Sequence, residues 1–349
     1  MQRLSYFIKR ILLVIPTFIG ITLVVFGLIQ FVPGGPVEQA LMQMQGIGAG
    51  GESGFGVSAD TAAGITEEYR QELERRFGFD QPFYRRYWNW LVRDRLGMRM
   101  ESYMHTGNTA WELIRGRLAV SLIFGITGFL LSYLICIPLG IAKALRNGSH
   151  FDFASSAIVF TGYAIPTVAL GMILRALFTG VTEGFPALLP LGGFQSPNYE
   201  DLTLLGRLLD RARHMLLPVI CYVAGNFAVL TMLMKNALLD QISRDYIRTV
   251  FAKGGNRKRA VWGHALRNAM IPIATGFGGI MTVMFAGSVI IERIFEIPGM
   301  GRFSLDAIVG RDYAIFMGIL SLTSILGLVG NILSDFCYVL IDPRITFDR

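Results

Sequence analysis

Charge is scarce in this 349-residue chain. Asp, Glu, Lys and Arg together make up 16% of it, where a soluble protein carries about 25%. Apolar residues fill the shortfall, at 52% with a mean hydropathy of +0.49. A soluble globular domain of this length is thereby excluded, and a polytopic membrane protein is what remains. Cysteine is also rare: Cys136, Cys221 and Cys337 are odd in number and each falls inside an apolar run. They read as small buried hydrophobes rather than as a disulfide framework or a metal site, so no redox compartment follows. The sequence also lacks a Gly-x-x-x-x-Gly-Lys-Ser/Thr loop, paired carboxylates and zinc-ligand spacing, so it offers no motif for nucleotide hydrolysis. Residues Gly46 to Gly51 satisfy a dinucleotide-binding glycine pattern, but no strand precedes them and no βαβ unit can follow.

Six long apolar segments are present: Ile11 to Val32, Ala119 to Ala142, Phe153 to Thr179, Leu216 to Leu238, Ala269 to Ile291 and Ala314 to Ile341. Each is long enough to cross a bilayer. The first follows Arg3, Lys9 and Arg10, but its apolar run exceeds the core of about 7 to 15 residues of a cleaved signal, which makes it a retained signal-anchor helix. The short connections differ in Lys/Arg: three before the first segment, Lys143 and Arg146 in the next, eight from Lys235 to Arg267, and Arg344 and Arg349 in the tail. The opposite connections, Val181 to His214 and Glu292 to Tyr313, hold three each. That bias predicts six transmembrane helices with both termini in the cytoplasm. The expected fold is an all-α polytopic membrane protein. Its parts are an N-terminus and first helix (1–33), a large periplasmic loop region (34–118), a five-helix core (119–341) containing a cytoplasmic loop (239–268), and a cytoplasmic tail (342–349).

The 34–118 region opens with a stretch rich in Gly, Ala and Ser, then predicts two surface helices, Thr66 to Phe77 and Pro82 to Leu96. The second carries Tyr84, Tyr87, Trp88, Trp90 and Leu91, which suit a small core or the headgroup level better than a ligand. Inside the apolar segments, Pro166 is expected to kink the third helix. Arg175 is expected to snorkel outward with Glu183 as a candidate partner. Asn331 and Asp335 lie one turn apart on the last helix and, with Asn226 on the fourth, serve either interhelical packing or a translocation pathway; an ionised Asp335 in hydrocarbon requires a donor partner, from Asn331 or another subunit.

The main polar island of the C-terminal half runs from Asp245 to Pro272. Ile242, Tyr246 and Val250 recur at helical spacing, with Ile247 and Phe251 beside them, so one face of a short helix is apolar and the other basic. Gly254-Gly255 stops that helix, with Gly254 left-handed. Asn256 can cap a second helix whose apolar face is Val261, Trp262, Ala265 and Leu266. Two amphipathic helices at a glycine turn make a grip for a partner. A basic loop resting on anionic lipid headgroups is the plainer reading. A helix-turn-helix on DNA is the rival suggested by seven Lys/Arg against two Asp between Asp240 and Arg267, but flanking membrane segments leave no soluble domain to hold a recognition helix, so no nucleic acid is expected.

At these residues the chain resembles the membrane subunits of ATP-binding-cassette importers of the dipeptide and oligopeptide class. The resemblance is carried by Asp245-Tyr246, Thr249, Ala252-Lys253-Gly254, His264, Arg267-Asn268-Ala269 and Pro272; Val250 and Phe251 depart from the family's usual Ala-Arg. It extends to Ile137-Pro138-Leu139-Gly140, to Glu292 with Pro298-Gly-Met-Gly301, to Arg311-Asp312-Tyr313, to Asn331 with Asp335, and to Asp342-Pro343-Arg344. The glycine-rich insert, Pro33-Gly34-Gly35-Pro36 and Asn147-Gly-Ser look closest to the subgroup importing oligopeptides and the peptide-nucleotide antibiotic microcin C. The resemblance implies an inner-membrane permease that pairs with a second permease, two ATPase domains or subunits and a periplasmic binding protein to move peptide by alternating access. No cofactor is implied in this chain; ATP and Mg belong to the partner ATPases. Asp245, Tyr246, Arg248, Thr249, Ala252, Lys253, Gly254, His264, Arg267 and Asn268 become the ATPase-coupling residues, with the Ile242, Tyr246 and Val250 stripe meeting a groove on the ATPase. Two alternatives stay open: a permease of the same fold for nickel or another small solute, and a self-sufficient channel or secondary transporter.

Overall fold

A computed structural model describes residues 2–31, 71–72, 75, 80–105, 107–276 and 287–341. The glycine-rich insert, most of the expected helix Thr66 to Phe77, part of the expected fifth span and the C-terminal tail lie outside the described residues, as does the side chain of Cys337. Twelve α-helices are named here from those residues: α1 (Gln2–Phe31), α2 (Phe83–Trp88), α3 (Ala110–Leu145), α4 (His150–Ala164), α5 (Thr167–Phe178), α6 (Leu204–Ile242), α7 (Asp245–Ala252), α8 (Arg257–Ala260), α9 (Leu266–Thr275), α10 (Val289–Ile294), α11 (Met300–Val309) and α12 (Tyr313–Ile341).

Among the described residues, four helices are long and apolar enough to cross a membrane: α1, α3, α6 and α12. The pair α4 and α5 adds one more if counted as a single bent span. The fifth expected segment, Ala269 to Ile291, is seen only as α9 and α10 at its two ends. The third departs from expectation. Instead of a kinked helix, α4 and α5 are separate helices bent by 92°. Ile165 (ψ 118°) and Pro166 (ψ 136°) are both extended, because proline donates no backbone hydrogen bond and its ring disfavours helix in the residue before it. Prolines 16, 138, 218 and 272, by contrast, lie inside continuous helices.

Helix ends follow local chemistry. Ser149, Thr203 and Ser288 accept from backbone N–H groups to cap α4, α6 and α10. Thr109 and Glu112 form a reciprocal capping box: the Thr109 N–H donates to Glu112 Oε2 at 2.9 Å and the Glu112 N–H to Thr109 Oγ1 at 3.4 Å. The box starts α3 at Ala110, nine residues before the apolar run that marked it in the sequence, so the 34–118 region ends in helix rather than loop.

The chain divides into two compact units. The first comprises Met1–Val14, Gly116–Phe303 and Thr323–Arg349. In it α6 packs against α4, α5 and α9, and one apolar core gathers Phe124, Leu217, Val219, Cys221, Ile291, Phe295 and Ile297. Cys136 and Cys221 are buried free thiols. The second unit comprises Ile15–Arg115 and Ser304–Leu322. There Trp90, on a π-helical turn (Asn89–Arg93) that continues α2, is buried with Phe26 and Met317, while Tyr84 and Trp88 stay exposed. The aromatic-rich segment thus forms a small core through Trp90. Asp312 is buried in the same unit, accepts from Ser102 Oγ at 2.5 Å and from the Met104 N–H at 3.1 Å, and caps α12 through the Ile315 N–H at 3.2 Å.

Candidate functional site

The polar island folds as a compact unit on the first body's helices. Its first helix, α7, ends in a paired glycine cap: the Gly254 N–H donates to Phe251 O at 2.9 Å and the Gly255 N–H to Val250 O at 2.9 Å. Gly254 has φ +79°, the left-handed value the sequence required. Gly255 is fixed for a different reason, since a Cβ there would lie 2.6 Å from Val250 Cγ1 and 2.8 Å from the Val250 carbonyl oxygen. Asn256 then caps α8 by accepting from the Arg259 N–H at 2.8 Å. A π-helical turn, Val261–Ala265, joins α8 to α9.

The underside of this unit is apolar. Ile247, Ala260, Val261, Ala265, Ala269 and Ile273 are buried with Met234 and Leu238 of α6 and Ile141 and Ala144 of α3. Ile242, Tyr246, Val250 and Leu266 pack against the same cluster. The stripe expected to enter a partner's groove is therefore used within the chain: Ile242, expected on the short helix, is the last residue of α6, and Tyr246 and Val250 of α7 continue its apolar side onto the same cluster. Tyr246 is held further by Gln241, to which its hydroxyl donates at 2.9 Å, and by Asn268 Nδ2, which donates to that hydroxyl at 3.1 Å.

The outward side is different. Asp245, Arg248, Thr249, Ala252, Lys253, Gly254, His264 and Arg267 are exposed, with Arg257, Lys258 and Arg259 beside them. Arg248 faces Asp245 at 3.4 Å, and Thr249 Oγ1 donates to Asp245 O at 3.1 Å. Within this basic surface stand two large apolar side chains, Phe251 (47% exposed) and Trp262 (55%). Phe251 is one of the two departures from the family pattern, and Trp262, which periodicity places on the apolar face, instead points outward from the π turn while Val261 and Ala265 of that turn are buried. Arg257 Nη2 reaches back to the Leu145 carbonyl at 3.0 Å, placing a cation on the C-terminus of α3.

Of the three polar candidates inside the apolar helices, Asn226 and Asn331 are exposed while Asp335 is buried. Within the chain the partner of Asp335 is not Asn331 but Arg10 of α1, whose Nε pairs with its Oδ2 at 2.6 Å, and the Tyr6 hydroxyl donates to the same oxygen at 3.5 Å. Arg175 likewise pairs with Glu296 at 2.7 Å and donates to the Ile294 carbonyl, not with Glu183, because α10 packs against α5.

Two polar clusters were not foreseen. At the meeting of α3, α4 and α6, Asp152 accepts from Lys143 at 3.1 Å and from Lys235 at 2.7 and 2.9 Å, and Lys143 also donates to Ser155 and Ser156. Lys143 is fully buried, and its only sequence signal was a charge at the edge of an apolar run. The second is Glu292, 1% exposed, which accepts from Ser121 Oγ at 3.0 Å and from the Arg302 N–H at 2.7 Å. A Cβ on Gly287 or Gly299 would lie within 2.5 Å of its carboxylate, so the Pro298-Gly-Met-Gly301 turn is shaped around this side chain. Burial raises the Glu292 carboxyl above the ordinary carboxylate range against the pull of those hydrogen bonds.

Residues 136–347 match the family described as binding-protein-dependent transport system inner membrane component. The chain is 38% identical to the inner membrane ABC transporter permease protein YejB of Escherichia coli O157:H7 and 38% identical to the peptidoglycan transport system permease protein YejB of Agrobacterium fabrum, in each case across 99% of both chains. It is 32% identical to the dipeptide transport system permease protein DppB of Escherichia coli K12, across 98% of both. The chain belongs to the inner-membrane permease components of binding-protein-dependent, ATP-binding-cassette peptide transport systems.

Proposed function

We propose that this chain is one of two permease subunits of an ATP-driven peptide importer, and that its 245–268 unit is where the ATPase subunits couple to it. The observation that carries the reading is the two-faced build of that unit, whose apolar side is packed on α3 and α6 while its outer side presents Phe251 and Trp262 among basic residues. Such exposed aromatic anchors in a charged rim suit a protein interface. A movement of the docked ATPase pushes a unit fixed to two membrane helices rather than a loose loop, and that is the mechanical requirement of alternating access. Six membrane helices with both termini cytoplasmic follow from the Lys/Arg bias, with a periplasmic binding protein delivering solute on the other side. Peptide is the solute class named for the dipeptide relative, and the finer assignment is to oligopeptides that include microcin C.

Gly254→Val tests the coupling reading. A β-branched residue at a left-handed position costs about 1 to 2 kcal/mol, and the space around Gly254 is open, so the spans insert and the unit is misaligned rather than lost. The expected outcome is near-normal permease in the membrane, reduced pull-down of ATPase subunits, and no substrate-stimulated hydrolysis in liposomes. Wild-type stimulation and uptake would refute it. Deletion of the gene in a strain without redundant importers is expected to abolish uptake of some oligopeptides and confer microcin C resistance; retained sensitivity would remove the finer assignment alone.

A further inference from the structure

A cavity of about 730 Å³ lies between α3, α4 and α6 and serves none of the roles described above. On α6 its wall is a single stripe, from Leu208 through Arg211, Met215, Val219 and Val223 to Phe227, at one three-residue step followed by four-residue steps. At 1.5 Å per residue that stripe is about 28 Å long. The hydrocarbon core it lies against is about 30 Å thick. The opposite wall is Leu131 of α3 and Gly162 of α4. Several lining side chains, Ile158 most of all at 72%, are exposed, so the cavity is a groove open to the side. An apolar groove at this depth is not filled by water, which requires polar partners.

One cation stands at the end of the groove. Arg211 lines it, lies five residues before the apolar run that begins at Leu216, and so sits about 7 Å beyond that run on the helix axis. Its guanidinium is stacked 4.9 Å from the Phe194 ring and 4.6 Å from Tyr199, and its Nη2 is 3.5 Å from Gln195 Oε1. Its Nε is buried with no hydrogen-bond acceptor. The neighbouring carboxylates are engaged elsewhere: Asp210 accepts from Ser196 N–H at 2.9 Å and Oγ at 2.5 Å, and Glu200 faces Arg207 at 3.5 Å. A held, unpaired guanidinium above a long apolar groove has the chemistry of an anionic amphiphile's binding site. We infer that the groove between α3, α4 and α6 binds one anionic phospholipid, its phosphate at Arg211 and an acyl chain along Met215, Val219 and Val223. A helix of a second protein would fill the apolar part equally but would leave the guanidinium buried without a counter-charge.

Gly162 supplies the test, because it lines the groove and a Cβ added there meets nothing within 4 Å, so a larger side chain starts out in open space. The full-length chain, purified with its partner subunits in nanodiscs of equal phosphatidylglycerol and phosphatidylcholine, is analysed by native mass spectrometry. Expected is one retained phosphatidylglycerol per copy, lost in Gly162→Phe. Phosphatidylcholine has the same phosphate, but its trimethylammonium offsets that charge and is repelled by the guanidinium, which makes the wild-type preference for phosphatidylglycerol about tenfold or more, and Arg211→Gln removes the preference while keeping an acyl chain in place. As a measurement independent of those variants, the fluorescence of Ile158→Trp is quenched by brominated-acyl phosphatidylglycerol more strongly than by the phosphatidylcholine analogue. Unchanged retention in Gly162→Phe, equal retention of both lipids by the wild type, or a disulfide formed between Ile158→Cys and a partner subunit would each overturn the assignment. None of these readouts depends on ATPase coupling or on the solute.

Discussion

The 245–268 unit and the Glu292 turn are built on opposite plans. In the first, apolar side chains point inward onto α3 and α6 and charge points outward. In the second, the charged group is the centre, and glycines 287 and 299 give way so that backbone and Ser121 can reach it. An inward apolar face leaves polar groups free for a partner, whereas an inward carboxylate consumes them to fix the course of the chain. The first plan tolerates change on its outer side, and the second tolerates almost none.

The comparison is broken most severely at Glu292. Glu292→Ala leaves buried N–H and O–H donors without an acceptor, at about 1 to 3 kcal/mol each, and is expected to lower the yield of folded permease sharply. Glu292→Gln preserves size and some acceptors, so its loss in thermal denaturation is smaller. It also carries a pH signature. The folded carboxyl is raised from 4.5, so the folded state holds its proton more tightly than the unfolded one. Stability is then fully present below the unfolded value and declines as pH rises through the folded value. Melting in detergent across that range should show the decline in the wild type and lack it in Glu292→Gln.

At the outer face of the 245–268 unit the expected pattern inverts. Phe251→Ala and Trp262→Ala each leave stability within about 0.5 kcal/mol. Each is expected to weaken ATPase binding by about 2 kcal/mol, near thirtyfold, in a surface-plasmon measurement. Normal ATPase affinity in both variants would mean that the outer face is not the contact.

The smallest expected difference is the one between the two glycines. Gly255→Ala meets the Val250 carbonyl and is expected to cost about 1 to 3 kcal/mol as an overpacked site. Gly254→Ala has open space and pays only for its left-handed backbone, about 1 kcal/mol. Equal melting shifts for the pair would show that the Val250 contact relaxes freely.

Local chemistry was legible in the sequence. The end of α7, the left-handed Gly254, the cap at Asn256 and the burial of Cys136 and Cys221 each depend on a few adjacent residues or on one apolar run, whereas Ile242, expected on the same short helix, ends α6 instead. What faces what was not. Periodicity marked Ile242, Tyr246 and Val250 as an apolar face but carries no information on whether its partner is another protein or this one. The Asp335 partner lies 325 residues away at Arg10, and the Arg175 partner 121 away at Glu296, so nearby residues were the natural and mistaken choices. Pro166 announced a disruption, but 92° is set by how α5 packs on α6 and α10, beyond the reach of a dihedral preference.

The two lysines on Asp152 have a consequence for the order of events during synthesis. Lys143 and Asp152 flank one tight hairpin, and they can meet as soon as α3 and the start of α4 have left the ribosome. Lys235 comes 83 residues after Asp152, about 4 to 17 s later at ordinary elongation rates. During that interval the Lys143–Asp152 pair can already close, which leaves Arg146 as the hairpin's net positive charge. The arrival of α6 then places a second ammonium on a carboxylate already held in position. The three side chains that close this corner of the finished protein can therefore come together in two stages, Lys143 with Asp152 first and Lys235 after α6 is made.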